Sequence, residues 1–112
     1  MSWSFMDRVN EVATGSVATY IYSKERGELD DIRIKAISAQ NKSHSCATAI
    51  SLGLRRGGWI IPLYRMAGAI AAGVPAIVFP DVLIPADVQI YAYFEDATAA
   101  DELELDIVGE YE

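Results

Sequence analysis

Cysteine and histidine each occur once, as Cys46 and His44. One thiol cannot close a disulfide within the chain, and the pair cannot supply a zinc site built on several thiolates. Basic residues are scarce. Nine Lys and Arg stand against sixteen Asp and Glu, giving a net charge of −7 and a pI near 4.6. Nucleic acid is therefore not an expected partner, because binding phosphates over a broad face rests on Lys and Arg. Long apolar runs are missing too. The least polar stretch, residues 57–80, contains Arg65 and is broken by Pro62 and Pro75. A membrane helix needs about 20 apolar residues, so no membrane span is expected. Residues 1–12 include Asp7 and Glu11 and no apolar core, which excludes a signal peptide. No GxSxG elbow, HExxH, P-loop or GxGxxG occurs. The expectation is a protein that is not an enzyme, with no catalytic residue, metal or cofactor. His44 reads as a turn residue in QNKSHS. Cys46 reads as a small buried hydrophobe at the start of a strand, its sharper alternative being a bond between two copies.

What is present is a globular composition. The 112 residues are 52% hydrophobic and 22% charged, enough for one domain with one core. The charge is uneven. Residues 1–56 hold eight basic and six acidic side chains, whereas residues 57–112 hold one basic residue, Arg65, and ten acidic ones. Solvated strand faces of different sign explain this; so does association of copies with opposite charges facing one another.

Period-two alternation dominates the chain. Leu103, Leu105 and Ile107 alternate with Glu102, Glu104 and Asp106. A strand turns these into one apolar and one acidic face. Val88, Ile90, Ala92 and Phe94 alternate likewise with Gln89, Tyr91, Tyr93 and Glu95. Residues 87–112 therefore read as two neighbouring antiparallel strands or strands separated by one crossing. Thr48, Ile50, Leu52 and Leu54 form another apolar face, followed by a turn at Arg55-Arg56-Gly57-Gly58 and a return strand at 59–64. Pro62 makes that return strand an edge or a bulged strand. Ile32, Ile34 and Ala36 alternate with Arg33 and Lys35; residues 17–22 form a further strand, and residues 77–79 a short buried one.

Seven or eight short strands at this regular spacing predict an all-β fold, an antiparallel β-sandwich of jelly-roll or Ig-like type. It should span residues 17–112. Residues 1–16 form an N-terminal arm or short helix, since Phe5, Met6, Val9 and Ala13 share helical spacing behind a Ser4 cap. The Ala-rich residues 65–73 should be a loop or a single turn crossing between sheets.

The acidic pairs Asp30-Asp31, Glu95-Asp96 and Asp101-Glu102 fall at strand ends. Calcium binding or acid–base work is conceivable there, but solvated turns carry such residues routinely. Arg55 and Arg56 beside two glycines suit a hairpin turn first and an anion second. Asn41-Lys42-Ser43 fits the N-glycosylation pattern, which has no weight without a secretory signal. The aromatic residues say more. Tyr91 and Tyr93 share one outward face, Tyr20 and Tyr22 share another, and Tyr111 lies near the C-terminus. Outward tyrosines cover apolar area while keeping a wet hydroxyl, which suits a subunit interface or a sugar-binding surface.

Three segments then carry a resemblance: DIRIKAISAQNKS (31–43), ATAISLGLRRGGWIIPL (47–63) and AAGVPAIVFPDVLIPADVQIYAYFEDATAADELELDIVGEY (71–111). In this order they resemble small β-sandwich virion proteins of tailed bacteriophages, of the head decoration, cement or tail accessory type. The resemblance covers about residues 17–112. It implies a structural virion protein that decorates or cements a capsid. Its partners would be itself, as a homo-oligomer such as a trimer, and the major capsid or another virion protein. It would be located in the virion and assembled in the host cytoplasm. Interface candidates are Trp3, Phe5, Tyr20, Tyr22, Arg55, Arg56, Tyr91, Tyr93 and Tyr111. Two other classes stand beside it. One is a carbohydrate- or receptor-binding module working through Tyr91, Tyr93 and Glu95. The other is a small acidic inhibitor or immunity protein working through the acidic face of Glu102, Glu104 and Asp106.

Overall fold

A computed structural model describes residues 4–13, 19–23, 31–42, 49–65, 75–95 and 100–111; of residues 4 and 5 it describes the backbone. The described residues form nine strands: β1 (Ser4–Val12), β2 (Thr19–Tyr22), β3 (Ile32–Asn41), β4 (Ile50–Arg56), β5 (Trp59–Arg65), β6 (Ala76–Val78), β7 (Val82–Ile84), β8 (Gln89–Phe94) and β9 (Glu102–Tyr111). All pairings are antiparallel. The first sheet runs β1-β9-β3, with β6 and β7 end to end along the far side of β3; the second runs β2-β8-β4-β5. The chain is an all-β sandwich. No helix among the described residues is long and apolar enough to cross a membrane.

The core lies where the alternating apolar sets meet. Ile32, Ile34 and Ile37 of β3 and Leu103, Leu105 and Ile107 of β9 face Ile50 and Leu52 of β4 and Ile90, Ala92 and Phe94 of β8, all buried. The inward sets predicted for β8 and β9 are these residues. β8 and β9 belong to different sheets, so the connection between them is the crossing rather than the hairpin. The β4–β5 hairpin closes on Gly57-Gly58, with Arg56 opposite Trp59. Gly57 has φ +58°, a conformation that glycine adopts without cost. Pro62 is accommodated in both ways open to it: β5 is an edge strand, and its register against β4 shifts between Leu52 and Gly53.

The structure differs from expectation at four places. Residues 4–12 are a strand, not a short helix. The free side of β9 is a long acceptor for a partner strand, and β1 pairs with it from Ser4–Glu110 to Val12–Glu102. A weak helical spacing loses to that ladder, because tertiary context overrides propensity. The pairing continues through Ala13, whose N–H donates to the Asp101 carbonyl at 2.9 Å. In β3 the alternation slips. The register against β9 shifts between Ile34 and Ala36, so Lys35 bulges out and Ile37, not Ala36, is buried. One inserted residue exchanges the two faces downstream of it. Lys35 instead reaches Asp81 at 2.8 Å. Third, Ile77 and Phe79 are exposed, because β6 lies at an edge and only Ala76 turns fully inward. Fourth, Asp101 is buried rather than solvated. Its carboxylate accepts a 2.7 Å hydrogen bond from Asn41 Nδ2, tying the end of β3 to the start of β9. His44, Cys46 and residues 66–74 lie outside the described residues.

Candidate functional site

Side-chain size along three adjacent strands builds a groove on the outer face of the second sheet. β4 presents small residues there, Ser51 and Gly53. β8 on one side presents Tyr93 and Tyr91, which pair in register with Ser51 and Gly53. β5 on the other side presents Arg65 opposite Ser51 and Pro62 opposite Gly53. A low strand between two tall ones is a trough. It has a volume of about 250 Å³ and is lined by Tyr20, Ser51, Ile60, Pro62, Arg65, Tyr91, Tyr93 and Glu95.

The tyrosines interlock. Tyr20 stacks on Tyr93 with ring centroids 4.4 Å apart and on Tyr22 at 6.0 Å, and meets Tyr91 at a tilt, 5.8 Å away. Aromatic pairs in this distance range contribute about 0.5–1.5 kcal/mol beyond their buried area. The Arg55 guanidinium lies 4.4 Å above the Tyr22 ring, a cation–π contact. Tyr91 occupies the outward face, as predicted, but it is only 3% exposed. Its ring lies across Gly53: a Cβ there would come within 2.5 Å of the ring and of the Ile61 carbonyl oxygen. Burial, followed by the neighbouring Tyr20, raises the Tyr91 phenol above its usual pKa. At the end of the groove Arg65 and Glu95 approach to 4.0 Å. The Glu95 backbone is held by its N–H donating to the Ala49 carbonyl.

Of the predicted interface residues, Tyr20, Tyr22, Arg55, Tyr91 and Tyr93 come together on this face. Arg56 stands at the hairpin and donates to Asp87 at 2.7 Å. Tyr111 belongs to the other sheet, half-buried opposite Ile32. Phe5 pairs through its backbone with Gly109, and Trp3 lies outside the described residues. Ser51, Ile60, Pro62 and Arg65 were not predicted as site residues. Their signal was the small outward set on β4, which becomes a groove only once β8 and β5 are known to flank it.

The predicted acidic face is on the outside of the first sheet, and it is not uniformly solvated. Glu102 is exposed, whereas Glu104 is buried. Lys42 Nζ lies 3.1 Å from the Glu104 carboxylate and Arg8 Nε 3.6 Å, while Arg8 also donates to Asp106 at 2.7 Å. The segment expected as an arm or short helix thus supplies, as β1, a cation that partly neutralises this face. Glu104 stays below the usual carboxylate range, first through its hydrogen bond with the Asp106 carboxyl and then through Lys42 and Arg8, against the effect of burial. Asp106 is raised, first by burial and then by Glu104. A lowered folded-state pKa contributes stability above the unfolded-state value, and that contribution is lost as pH falls through the folded-state value. Glu104→Gln should therefore lower stability at neutral pH by roughly 1–2 kcal/mol, leaving Lys42 without its buried partner. The gap to the wild type should close in strong acid, where Glu104 is itself protonated. Urea midpoints of both proteins at neutral and acidic pH measure this; a gap that does not change with pH would refute it.

No protein-family model and no curated protein matches the sequence. Solved structures match at the level of fold. A Yersinia pseudotuberculosis-derived mitogen superposes with a TM-score of 0.55 at 11% identity, over 94% of this chain and 86% of that one. A chain of the cyanophage Pam1 capsid asymmetric unit gives 0.53 at 15% identity, over 98% and 84%. A chain of the virus-like particle of the Macrobrachium rosenbergii extra small virus gives 0.53 at 8% identity, over 99% and 78%.

Proposed function

We propose that this chain is a structural, non-enzymatic virion protein that decorates or cements a capsid. It acts by contact between its own copies and with capsid protein. The observation that carries this reading is β5. It is an edge strand with one side of its ladder unpaired within the described sheet, and Trp59, Ile60, Ile61 and Tyr64 on it are exposed, Trp59 at 79%. From Trp59 to Tyr64 it carries no charged residue. Soluble sheets ordinarily blunt their edges with charge, bulges or proline, and here Pro62 and the shift beside it interrupt an otherwise open apolar strand. With the ladder interrupted there, the exposed apolar side chains of β5, rather than a continuous added strand, offer the contact area for a neighbouring copy. The sandwich fold shared with two capsid chains supports the same reading. The acidic second half of the sequence suits an outer surface of a particle, away from packaged nucleic acid. Location in the virion and assembly in the reducing host cytoplasm belong to this proposal, the latter because a single cysteine leaves no internal disulfide to form.

Light scattering on the purified protein tests it. The wild type should form a defined oligomer, and Ile61→Lys should shift it to the 12.2 kDa monomer. Wild-type protein should also bind expanded capsid shells and raise the temperature at which they disrupt. A strict monomer that neither binds nor stabilises shells would refute the proposal.

A further inference from the structure

We infer that the groove on the outer face of the second sheet is a binding site for one neutral sugar ring, as at the end of a glycan. Three observations carry this. The first is size. Pockets for drug-sized ligands run from about 300 to 1,000 Å³, so a trough of about 250 Å³ suits something smaller, such as a single ring. The second is chemistry. Tyr20, at 41% exposed, and Tyr93 supply an aromatic wall, and Ile60 and Pro62 supply the opposite one. Apolar walls suit the C–H faces of a sugar. Its hydroxyls need donors and acceptors together, which Ser51, Arg65 and Glu95 provide. Arg65 and Glu95 cancel in charge, so the groove favours neither an anion nor a cation. At 4.0 Å they fall short of hydrogen-bond distance, and both can turn to a ligand. The third is rigidity. The lining residues stand on four laddered strands and their ends, with the Tyr91 ring pressed over Gly53 as a fixed floor. A platform of this kind holds side chains in place before a ligand arrives.

The groove shares Ile60 with the β5 edge proposed for self-association, but Ile61, the residue changed to test association, does not line the groove. Ile60 and Pro62 turn to the outer face, whereas Ile61 pairs with Leu54 on the opposite face. The two ideas can therefore fail independently.

The test is an amide NMR titration of the full chain with glucose, galactose, mannose and N-acetylglucosamine, each taken into the millimolar range where single-ring affinities fall. At least one sugar should give saturable shifts centred on Tyr20, Ser51, Arg65, Tyr93 and Glu95. Tyr20→Ala should weaken binding about tenfold or more, as expected when a central aromatic anchor is truncated. Arg65→Ala is the second variant: Arg65 is exposed at a strand end, so its loss leaves the fold intact while removing the donor. The same shifts should persist in Ile61→Lys, which separates sugar binding from association. Saturable shifts elsewhere on the surface, binding unchanged in both groove variants, or no saturable shift with any of the four sugars would overturn the inference.

Discussion

Leu105→Asp should leave no folded protein. Leu105 is fully buried in β9, between β1 and β3 at the centre of the first sheet. Losing the leucine removes roughly 2 kcal/mol of apolar burial. The carboxylate that replaces it meets no cation among the described core residues, which there are isoleucine, leucine and phenylalanine. An unpaired buried charge costs several kcal/mol more, against a total stability of about 5–15 kcal/mol for a domain. Circular dichroism and a urea titration measure the outcome. Val108→Thr, on the exposed face of the same strand, should shift stability by no more than about 0.5 kcal/mol. A soluble, cooperatively folding Leu105→Asp protein would show that β9 turns its other face to the core.

Gly53→Ala is the second large effect. The added methyl would meet the Ile61 carbonyl oxygen and the Tyr91 ring at 2.5 Å. A side chain can swing away from such a clash, but a laddered carbonyl on the paired strand cannot without moving β5. The expected cost is about 1–3 kcal/mol, in the range of overpacked cores. A second signature distinguishes this from general damage. Displacing Tyr91 exposes its phenol, so its pKa should fall back toward the ordinary tyrosine value, readable as an earlier rise in tyrosinate absorbance on alkaline titration. A Gly53→Ala protein with wild-type stability and an unchanged titration would mean that Tyr91 does not lie across this glycine.

Much of the fold was legible because the sequence alternates wherever one face of a strand is buried. Ile90, Ala92 and Phe94, and Leu103, Leu105 and Ile107, declare their inward faces without reference to any neighbour. The Gly57-Gly58 turn and Pro62 likewise carry their meaning locally. What stayed hidden depends on residues far apart in the chain. Ser4–Val12 reads as weakly helical because nothing near it announces β9, which supplies its ladder. The bulge at Lys35 is invisible until β3 is set against β9. The groove was half visible. The tyrosines were identified, but their wall faces a trough only because β4, with Ser51 and Gly53, separates β8 from β5. Glu104 was taken as solvated because its cations come from far along the chain, Arg8 from β1 and Lys42 from the residue that follows β3.

The position of β9 has a consequence for the protein as it is being made. The strand synthesised last among those described is not an edge: it lies between β1 and β3. Until residues 102–111 leave the ribosome, β1 has no partner in its sheet and β3 lacks its longest one. The nascent chain must therefore carry two open strands until β9 emerges. Sheet pairing between distant segments is slow in any case, because loop closure comes before the contacts that compensate for it. On a crowded polysome, unfinished copies would present those open strands to one another, which is a route to mispairing. A chain stalled with β9 still unmade should thus be sensitive to protease, and emergence of residues 102–111 should protect it in one step.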